Sequence, residues 1–304
     1  MTVLLLCTLA AGTAGPGAPP KQEKEAVLWS KLEERIRGVE RALDGAMGVW
    51  VKDLKTGRTL EIRPNEVFPT ASSIKVAVLY ELYRQAEDGR VDLAEVTRPP
   101  LPRVGGGGVL EALDDRVSLS WRDLAVLMMG WSDNEATNVL IERVGSDAVN
   151  RRLDTLGLGA TRLRRKMMDV AAARRGEENV STAAELGRLM EILNAGTGLS
   201  PERAKDMMAV ATIDKWGRTT IPPSPFRIPL PEGLAVADKP GELEGVRCVT
   251  AAVDLKGRPY VAAIMTAYLK READGEAAVR DISAALYETF DRLARGSEYG
   301  RLLN

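Results

Sequence analysis

Histidine is absent from the 304-residue sequence. Its absence excludes serine and cysteine nucleophiles that rely on an imidazole base, and it excludes zinc sites with imidazole ligands. Any acid–base chemistry in this chain must therefore use lysine, aspartate, glutamate or tyrosine side chains. No metal and no cofactor is implied by the composition.

Cysteine and net charge are both scarce. Cys7 and Cys248 are the two cysteines, and if Cys7 lies in a removed leader, one thiol remains, so we expect no disulfide framework. The 42 basic residues nearly balance the 43 acidic ones, which leaves a net charge of −1. The chain therefore has no excess of positive charge that would attract a polyanion, and we expect no nucleic-acid partner.

A long hydrophobic run is missing as well. The chain starts with MTVLLLCTLAAGTAGPGA, a short apolar run followed by small residues, which is typical of a secretory signal without its basic start. This run is far shorter than the ~20 residues that span a bilayer. We therefore expect a leader at residues 1–20, a periplasmic or secreted protein, and no membrane span. A frayed cytosolic terminus is the alternative.

Strand patterns occur near both ends of the chain, with helical patterns between them. An early pair of strand-like runs surrounds a predicted turn at residues 55–57, and further strand-like runs return in the last third. This order predicts an α+β fold, in which an antiparallel β-sheet is flanked by N- and C-terminal helices and an all-α domain is inserted. We expect the α/β domain in 21–67 and 212–304 and the all-α domain in 68–211, with a cleft between them.

The stretch TASSIK is the first candidate for chemistry. Ser72 and Lys75 lie three residues apart at a predicted helix start, so the amine can hydrogen-bond the hydroxyl. Ser72 also presents its backbone N–H where an oxyanion would develop. The pair can serve as nucleophile and base if burial leaves Lys75 partly neutral. Taken alone, an N-capping serine and a solvated lysine explain the pair better.

Two further motifs follow in the chain. WSDNEATN places Ser132 and Asn134 in a turn between helices, where Ser132 or Asp133 has the alternative role of a helix cap. DKPGELEGVR places Lys239 and Gly241 on a strand, and glycine there lets the backbone approach a ligand closely. A surface lysine is the alternative for Lys239. Each alternative is favoured singly, but three motifs in this order favour a shared mechanism.

These motifs, together with TRLRRK before an omega loop, resemble the class A β-lactamases and related penicillin-recognising serine enzymes. The resemblance covers nearly the whole chain after the leader. It implies a β-lactamase/transpeptidase-like fold, a β-lactam or a peptidoglycan-like peptide as substrate, and a monomer.

The resemblance also implies catalytic roles. Ser72 would be the acylated nucleophile, Lys75 its proton acceptor, and Ser132 the relay that gives a proton to the leaving nitrogen. The backbone N–H groups of Ser72 and Glu242 would form the oxyanion hole.

The implied substrate-binding residues lie on two motifs. Asn134 would bind the substrate amide, Lys239 would attract the substrate carboxylate, and Gly241 would allow close approach. Arg247 would help to hold the same carboxylate, with a surface salt bridge as its alternative role.

The sequence departs from the family pattern at both ends of the reaction. Pro240 stands where the family has a hydroxyl residue, so one hydrogen bond to the substrate carboxylate is lost. Alignment of the omega loop with the family pattern puts Met167 at the position of the deacylating glutamate. It puts Met168 at the position of the usual proline and Ala171 at that of the asparagine that holds the water. A thioether cannot accept a proton, so we expect the acyl-enzyme to be released slowly.

Three carboxylates are candidates for a substitute base, namely Asp169, Glu177 and Glu178. Asp169 is the foremost of them, although a structural hydrogen-bonding role for it is favoured. Arg165 is expected to close the omega loop through Glu178. Three functions stay open: a β-lactam hydrolase, a D-Ala-D-Ala peptidase or transacylase with the same nucleophile, and a domain that binds β-lactams or peptidoglycan without hydrolysis. A broader esterase is a further alternative, since a relaxed carboxylate anchor would admit simple esters, and the sequence does not separate it from the first two.

Overall fold

The structure, a computed structural model, describes residues 21–213, 223–297 and 299–303. The predicted leader lies outside these residues. The helices are α1 (Lys21–Ala42), α2 (Lys75–Glu87), α3 (Trp121–Gly130), α4 (Asn134–Val144), α5 (Ser146–Thr155), α6 (Val170–Arg174), α7 (Ala183–Asn194), α8 (Pro201–Ala211) and α9 (Glu272–Arg295). Short 3-10 turns cover Ala71–Ile74 and Leu110–Ala112. None of the described helices is long and apolar enough to cross a membrane.

The strands are β1 (Ala46–Asp53), β2 (Thr59–Ile62), β3 (Val67–Pro69), β4 (Val96–Thr97), β5 (Leu119–Ser120), β6 (Val180–Thr182), β7 (Val236–Leu243), β8 (Val246–Val253) and β9 (Tyr260–Ala267). Five of them form an antiparallel sheet in the order β2-β1-β9-β8-β7. The β1–β2 hairpin turns at Gly57, whose φ of 77° suits glycine, as predicted. Both ends of the chain therefore build one sheet, and the predicted α+β fold is confirmed.

The two faces of the sheet carry separate cores, because side chains alternate along each strand. Val49 belongs to the apolar cluster that Leu32 of α1 and Phe290 of α9 cover. Its neighbour Trp50 belongs to the other cluster, with α2 and α7. Both terminal helices thus lie on one face of the sheet. The helices between them in the chain, which we call the helical block, lie on the other face.

Helix α7 attaches the helical block to the sheet at a glycine. A Cβ atom added to Gly187 would lie 2.7 Å from Cζ3 of Trp50 on β1, so no larger residue fits at this separation. Helix α7 contacts β1, β8 and β9. The boundaries of the two domains stay a prediction, but this contact explains how the sheet and the helices meet beside a cleft.

A buried ion cluster joins α1 to the sheet. Arg258, which follows the β8–β9 turn, is 3% exposed and donates to the fully buried carboxylate of Asp53 at 2.7 Å. It also donates to Glu25 of α1 at 2.8 Å. Asp53 in turn accepts the Thr56 hydroxyl in the β1–β2 turn at 2.8 Å. Arg258 is thus compensated on both sides by residues from separate elements.

We predict that Asp53→Ala lowers the free energy of unfolding by about 3–5 kcal/mol, since it leaves a buried guanidinium without its nearest partner. Urea denaturation of the purified protein measures this loss. Glu33→Ala is the control: it breaks an ion pair with Arg37 in which both side chains are 46% exposed, and it is expected to cost less than about 1 kcal/mol. Equal losses in the two variants would contradict the role assigned to Asp53.

Candidate active site

Ser72 lies in the 3-10 turn that leads into α2. In a 3-10 turn the residues i and i+3 eclipse, so the Ser72 and Lys75 side chains leave the backbone on the same side. Thr70 anchors the start of this turn by donating its backbone N–H to the Asn179 carbonyl at 2.9 Å. The predicted pairing of Ser72 with Lys75 on one face therefore has a local structural cause.

Two buried lysines converge on the hydroxyl of Ser132. Lys75 is fully buried, and its amine donates to Oγ of Ser132 at 3.1 Å, to the Ser132 carbonyl at 2.7 Å and to Oδ1 of Asn134 at 3.1 Å. Lys239 is 1% exposed and donates to the same Ser132 Oγ at 3.1 Å. With both lone pairs of Oγ engaged, the Ser132 hydroxyl hydrogen is directed to a different acceptor.

The turn that carries Ser132 is held from both sides. Asp133 caps α4 by accepting the Ala136 backbone N–H at 2.8 Å, as the helix-cap alternative proposed. Its other oxygen accepts the N–H groups of the preceding loop at residues 109 and 110. Asn134 donates its side-chain amide to the Gly106 carbonyl at 2.9 Å. Asn134 thus contacts both the lysine and the loop that borders the cleft.

Strand β7 lies directly against the 3-10 turn that carries the candidate nucleophile Ser72 (the nucleophile turn), because Gly241 has no side chain. A Cβ there would meet the Thr70 carbonyl oxygen and would lie 3.0 Å from the Ser73 nitrogen. The Ser73 hydroxyl donates to the Lys239 carbonyl at 2.9 Å and adds a second link. Glu242 therefore follows immediately after the point where β7 meets the turn, and it lines the same cleft as Ser72.

Cys248 on β8 fills the space behind this contact. Its thiol donates to the Thr70 carbonyl at 2.9 Å and lies 3.4 Å from the Ser73 hydroxyl. Complete burial raises the pKa of this thiol to about 11. The thiol therefore stays protonated near neutral pH and serves as a donor in the core rather than as a nucleophile.

These elements border one cleft of about 1380 Å³. Among the residues that line it are the predicted site residues Ser72, Ser132, Asn134, Lys239 and Glu242. The structure thus brings the three motifs together at the mouth between sheet and helices. Among the residues that the structure describes, no group of cysteine and carboxylate side chains could hold a metal ion.

The omega loop, residues 161–180, forms the opposite wall of the cleft. Its ends meet in a bridge between Arg162 and Val180. Arg165 donates to Glu178 at 2.9 Å across the loop, which is the predicted pairing. The Asn179 side chain accepts the Arg165 backbone N–H at 3.0 Å, which also joins the two ends of the loop. The loop path is therefore fixed by its own side chains.

Met167 lies on this wall with its backbone held on both sides. The Asn138 side chain accepts the Met167 N–H at 2.8 Å and donates to the Met167 carbonyl at 3.0 Å. Met167 is 7% exposed and lines the cleft, as does Met168, which is 45% exposed. Sequence reasoning missed Asn138, although its position four residues after Asn134 on the same helix face could have indicated it.

The candidate substitute bases do not approach the cleft as a free carboxylate. Asp169 caps α6 by accepting a backbone N–H at 2.9 Å and does not line the cleft. Glu177 also lies outside the lining, and its hydrogen bonds from Arg175 lower the pKa of its carboxyl. Glu178 lines the cleft, but it is engaged in the ion pair that closes the loop. This placement favours the structural role for Asp169.

Arg247 also lies outside the cleft lining. Its guanidinium donates to Glu272 at 2.8 Å and to Glu276 at 3.1 Å, and it further donates to the Leu243 carbonyl at 3.0 Å. With these acceptors, Arg247 ties α9 to the β7–β8 turn. Its position favours the salt-bridge alternative over a role in carboxylate binding.

The antiparallel sheet, the helical block and the cleft between them define a β-lactamase/transpeptidase-like protein. The chain belongs to the Beta-lactamase enzyme family, whose sequence model matches residues 31–290, within the class A and penicillin-recognising serine hydrolases.

Individual relatives cover most of the chain. A β-lactamase of Streptomyces cellulosae is 30% identical over 78% of this chain and 74% of its own length. The crystal structure of a β-lactamase from Sphaerobacter thermophilus has a TM-score of 0.75 at 30% identity, covering 86% of this chain and 97% of that one. A mutant of PBP-A, solved as an acyl-enzyme complex with penicillin G, has a TM-score of 0.74 at 26% identity, with 86% and 96% covered.

We predict that Gly241→Ala slows formation of a covalent penicillin adduct about 10²-fold. The new methyl group meets backbone atoms that cannot rotate away, so β7 must shift from Ser72. Intact-mass spectrometry over time measures the rate. Gly38→Ala in α1 is the matched control, because a Cβ there meets nothing within 4 Å. An unchanged rate in Gly241→Ala would show that the close approach is not required.

Proposed function

We propose that the protein is a serine hydrolase that reacts with β-lactams through an acyl-enzyme on Ser72 and releases the product slowly. The observation that carries the proposal is an asymmetry of the cleft. Lys75, Ser132 and Lys239 form a connected hydrogen-bonded group beside the nucleophile turn. The facing wall presents Met167, which offers no proton acceptor for a water.

Acylation uses the connected group. Oγ of Ser72 attacks the lactam carbonyl and forms an ester, while its proton passes to Lys75, whose amine acts in its neutral form. The lactam C–N bond breaks, and Ser132 delivers a proton to the leaving nitrogen. The proton that Ser132 loses is replaced through Lys75, whose amine lies 3.1 Å from its hydroxyl. No histidine is needed for any of these transfers.

Groups on the wall opposite the omega loop hold the developing charge and the substrate. The N–H groups of Ser72 and Glu242 stabilise the oxyanion, and the approach of β7 at Gly241 supports this pairing. Asn134 binds the amide of the substrate. Lys239 is left as the main attraction for the substrate carboxylate, since Pro240 lacks a hydroxyl and Arg247 is engaged by α9.

Deacylation lacks a matching base. A general base contributes a factor of about 10² to 10⁴ to such a step, so hydrolysis of the ester is expected to be slower by a comparable factor. The L158E mutant of PBP-A, solved as an acyl-enzyme complex with penicillin G, supports formation of such an ester in this fold.

The apolar wall at Met167 also favours a second candidate, a D-Ala-D-Ala peptidase or transacylase. A wall that does not activate water gives an amine acceptor more time to attack the ester. Release of D-alanine from a peptide panel distinguishes this candidate from the first. A domain that binds β-lactams or peptidoglycan without reacting is the third reading, and a covalent adduct on Ser72 would exclude it.

We further propose export to the periplasm or the medium, as a monomer. The composition of residues 1–20 and the usual location of β-lactam targets support export. N-terminal sequencing of the protein secreted by its host tests the leader.

We predict that Met167→Glu shortens the lifetime of the penicillin adduct at least about 10²-fold, because a carboxylate at this position can take the proton of an attacking water. The measurement is intact mass against time after a single addition of penicillin. Met167→Gln is the matched control, since it has the same shape without a basic oxygen, and its adduct should persist as in the wild type.

Ser72→Ala completes the test and should form no adduct. An adduct that persists in Ser72→Ala would place the nucleophile elsewhere. Equal lifetimes for the Glu and Gln variants would contradict the assignment of Met167 to the position of the base.

A further inference from the structure

The Met168 side chain of the omega loop touches the opposite rim of the cleft at Gly106. A Cβ added to Gly106 would lie 2.5 Å from Cε and 2.9 Å from Cγ of Met168, so the thioether packs directly on the glycine backbone. Gly106 and Met168 both line the cleft. This contact crosses the cleft from the omega loop to the loop before α3.

The rim on the far side of this contact is a run of glycines at 105–108. All four have positive φ values, from 66° to 134°, a region that favours glycine. A Cβ on Gly108 would meet the Asp133 side chain. Gly108 therefore approaches the Ser132 turn too closely for a side chain, and Met168 supplies the bulk beside Gly106 at this end of the cleft.

Asn134 connects this contact to the substrate. Its side-chain amide nitrogen donates to the Gly106 carbonyl at 2.9 Å, and Oδ1 accepts from Lys75. A substrate amide that binds Asn134 therefore lies beside Gly106. The group attached to that amide must pass the place where Met168 covers the glycine.

We infer that Met168 sets an upper limit on the size of the group carried by the substrate amide that Asn134 binds. This inference rests on the proposed acylation of Ser72. The protein accepts substrates with a compact acyl substituent, and a bulky substituent must displace the Met168 side chain before the carbonyl reaches Ser72. Met168 is 45% exposed, so its side chain can be truncated without opening the core.

The test compares two penicillins that differ only in the amide substituent, one with an acetyl and one with a naphthoyl group. Intact mass gives the rate of adduct formation for each. In the wild type the acetyl compound should react at least about tenfold faster. Met168→Ala should reduce this ratio about tenfold by accelerating the naphthoyl compound. Alanine keeps a side chain at the positive φ of 62°, so the backbone preference changes little.

Two variants control for other causes. Met168→Leu keeps the bulk and should retain the wild-type ratio, while Met208→Ala removes a methionine of α8 that does not line the cleft and should also retain it. Adducts from both compounds with the same ratio in the wild type and in Met168→Ala would overturn the inference and leave the proposed function intact. No adduct from either compound in the wild type would overturn both.

Discussion

The Ser132 hydroxyl is the point on which the rest of the site depends. One lysine reaches it from α2 and another from β7, each at 3.1 Å, so two parts of the chain 164 residues apart must meet there. The meeting requires the sheet to lie against the nucleophile turn, which Gly241 permits and the Ser73 hydroxyl reinforces. The fold therefore serves chiefly to hold two buried amines on one oxygen beside Ser72.

The two walls of the cleft differ in the chemistry that their side chains can support. The wall of Ser72 and Ser132 is polar and connected. On the omega loop, Asn138 fixes the backbone of Met167 through two hydrogen bonds, so the loop presents a thioether to the cleft at a position whose backbone is held. The loop's own carboxylates at 169, 177 and 178 are engaged in a helix cap and in ion pairs. Under the proposed function, the site supports capture of the substrate, and release of the ester is left to hydroxide attack without a general base.

The fold and the central residues of the candidate site could be predicted from the sequence, because short stretches of the chain carry the patterns that indicate them. Strand and helix periodicity predicted the α+β order, and the motifs around Ser72, Ser132 and Lys239 each lie in a turn or strand with clear neighbours. The role of Arg247 was harder to predict from the sequence. Its acceptors Glu272 and Glu276 lie on a helix 25 and 29 residues further along the chain, and they determine where the Arg247 side chain points. The packing of the omega loop on Gly106 leaves no periodic signal in the sequence, because it joins residues about 60 positions apart through the fold.

The pH dependence of adduct decay in the wild-type protein tests the central claim most directly. A carboxylate base works when it is ionised, so its rate rises through a pKa near about 4.3 and then reaches a plateau. Without such a base, attack by hydroxide should dominate. The account predicts that the decay rate rises about tenfold per pH unit between about pH 6 and 8. A flat decay rate over that range would contradict it.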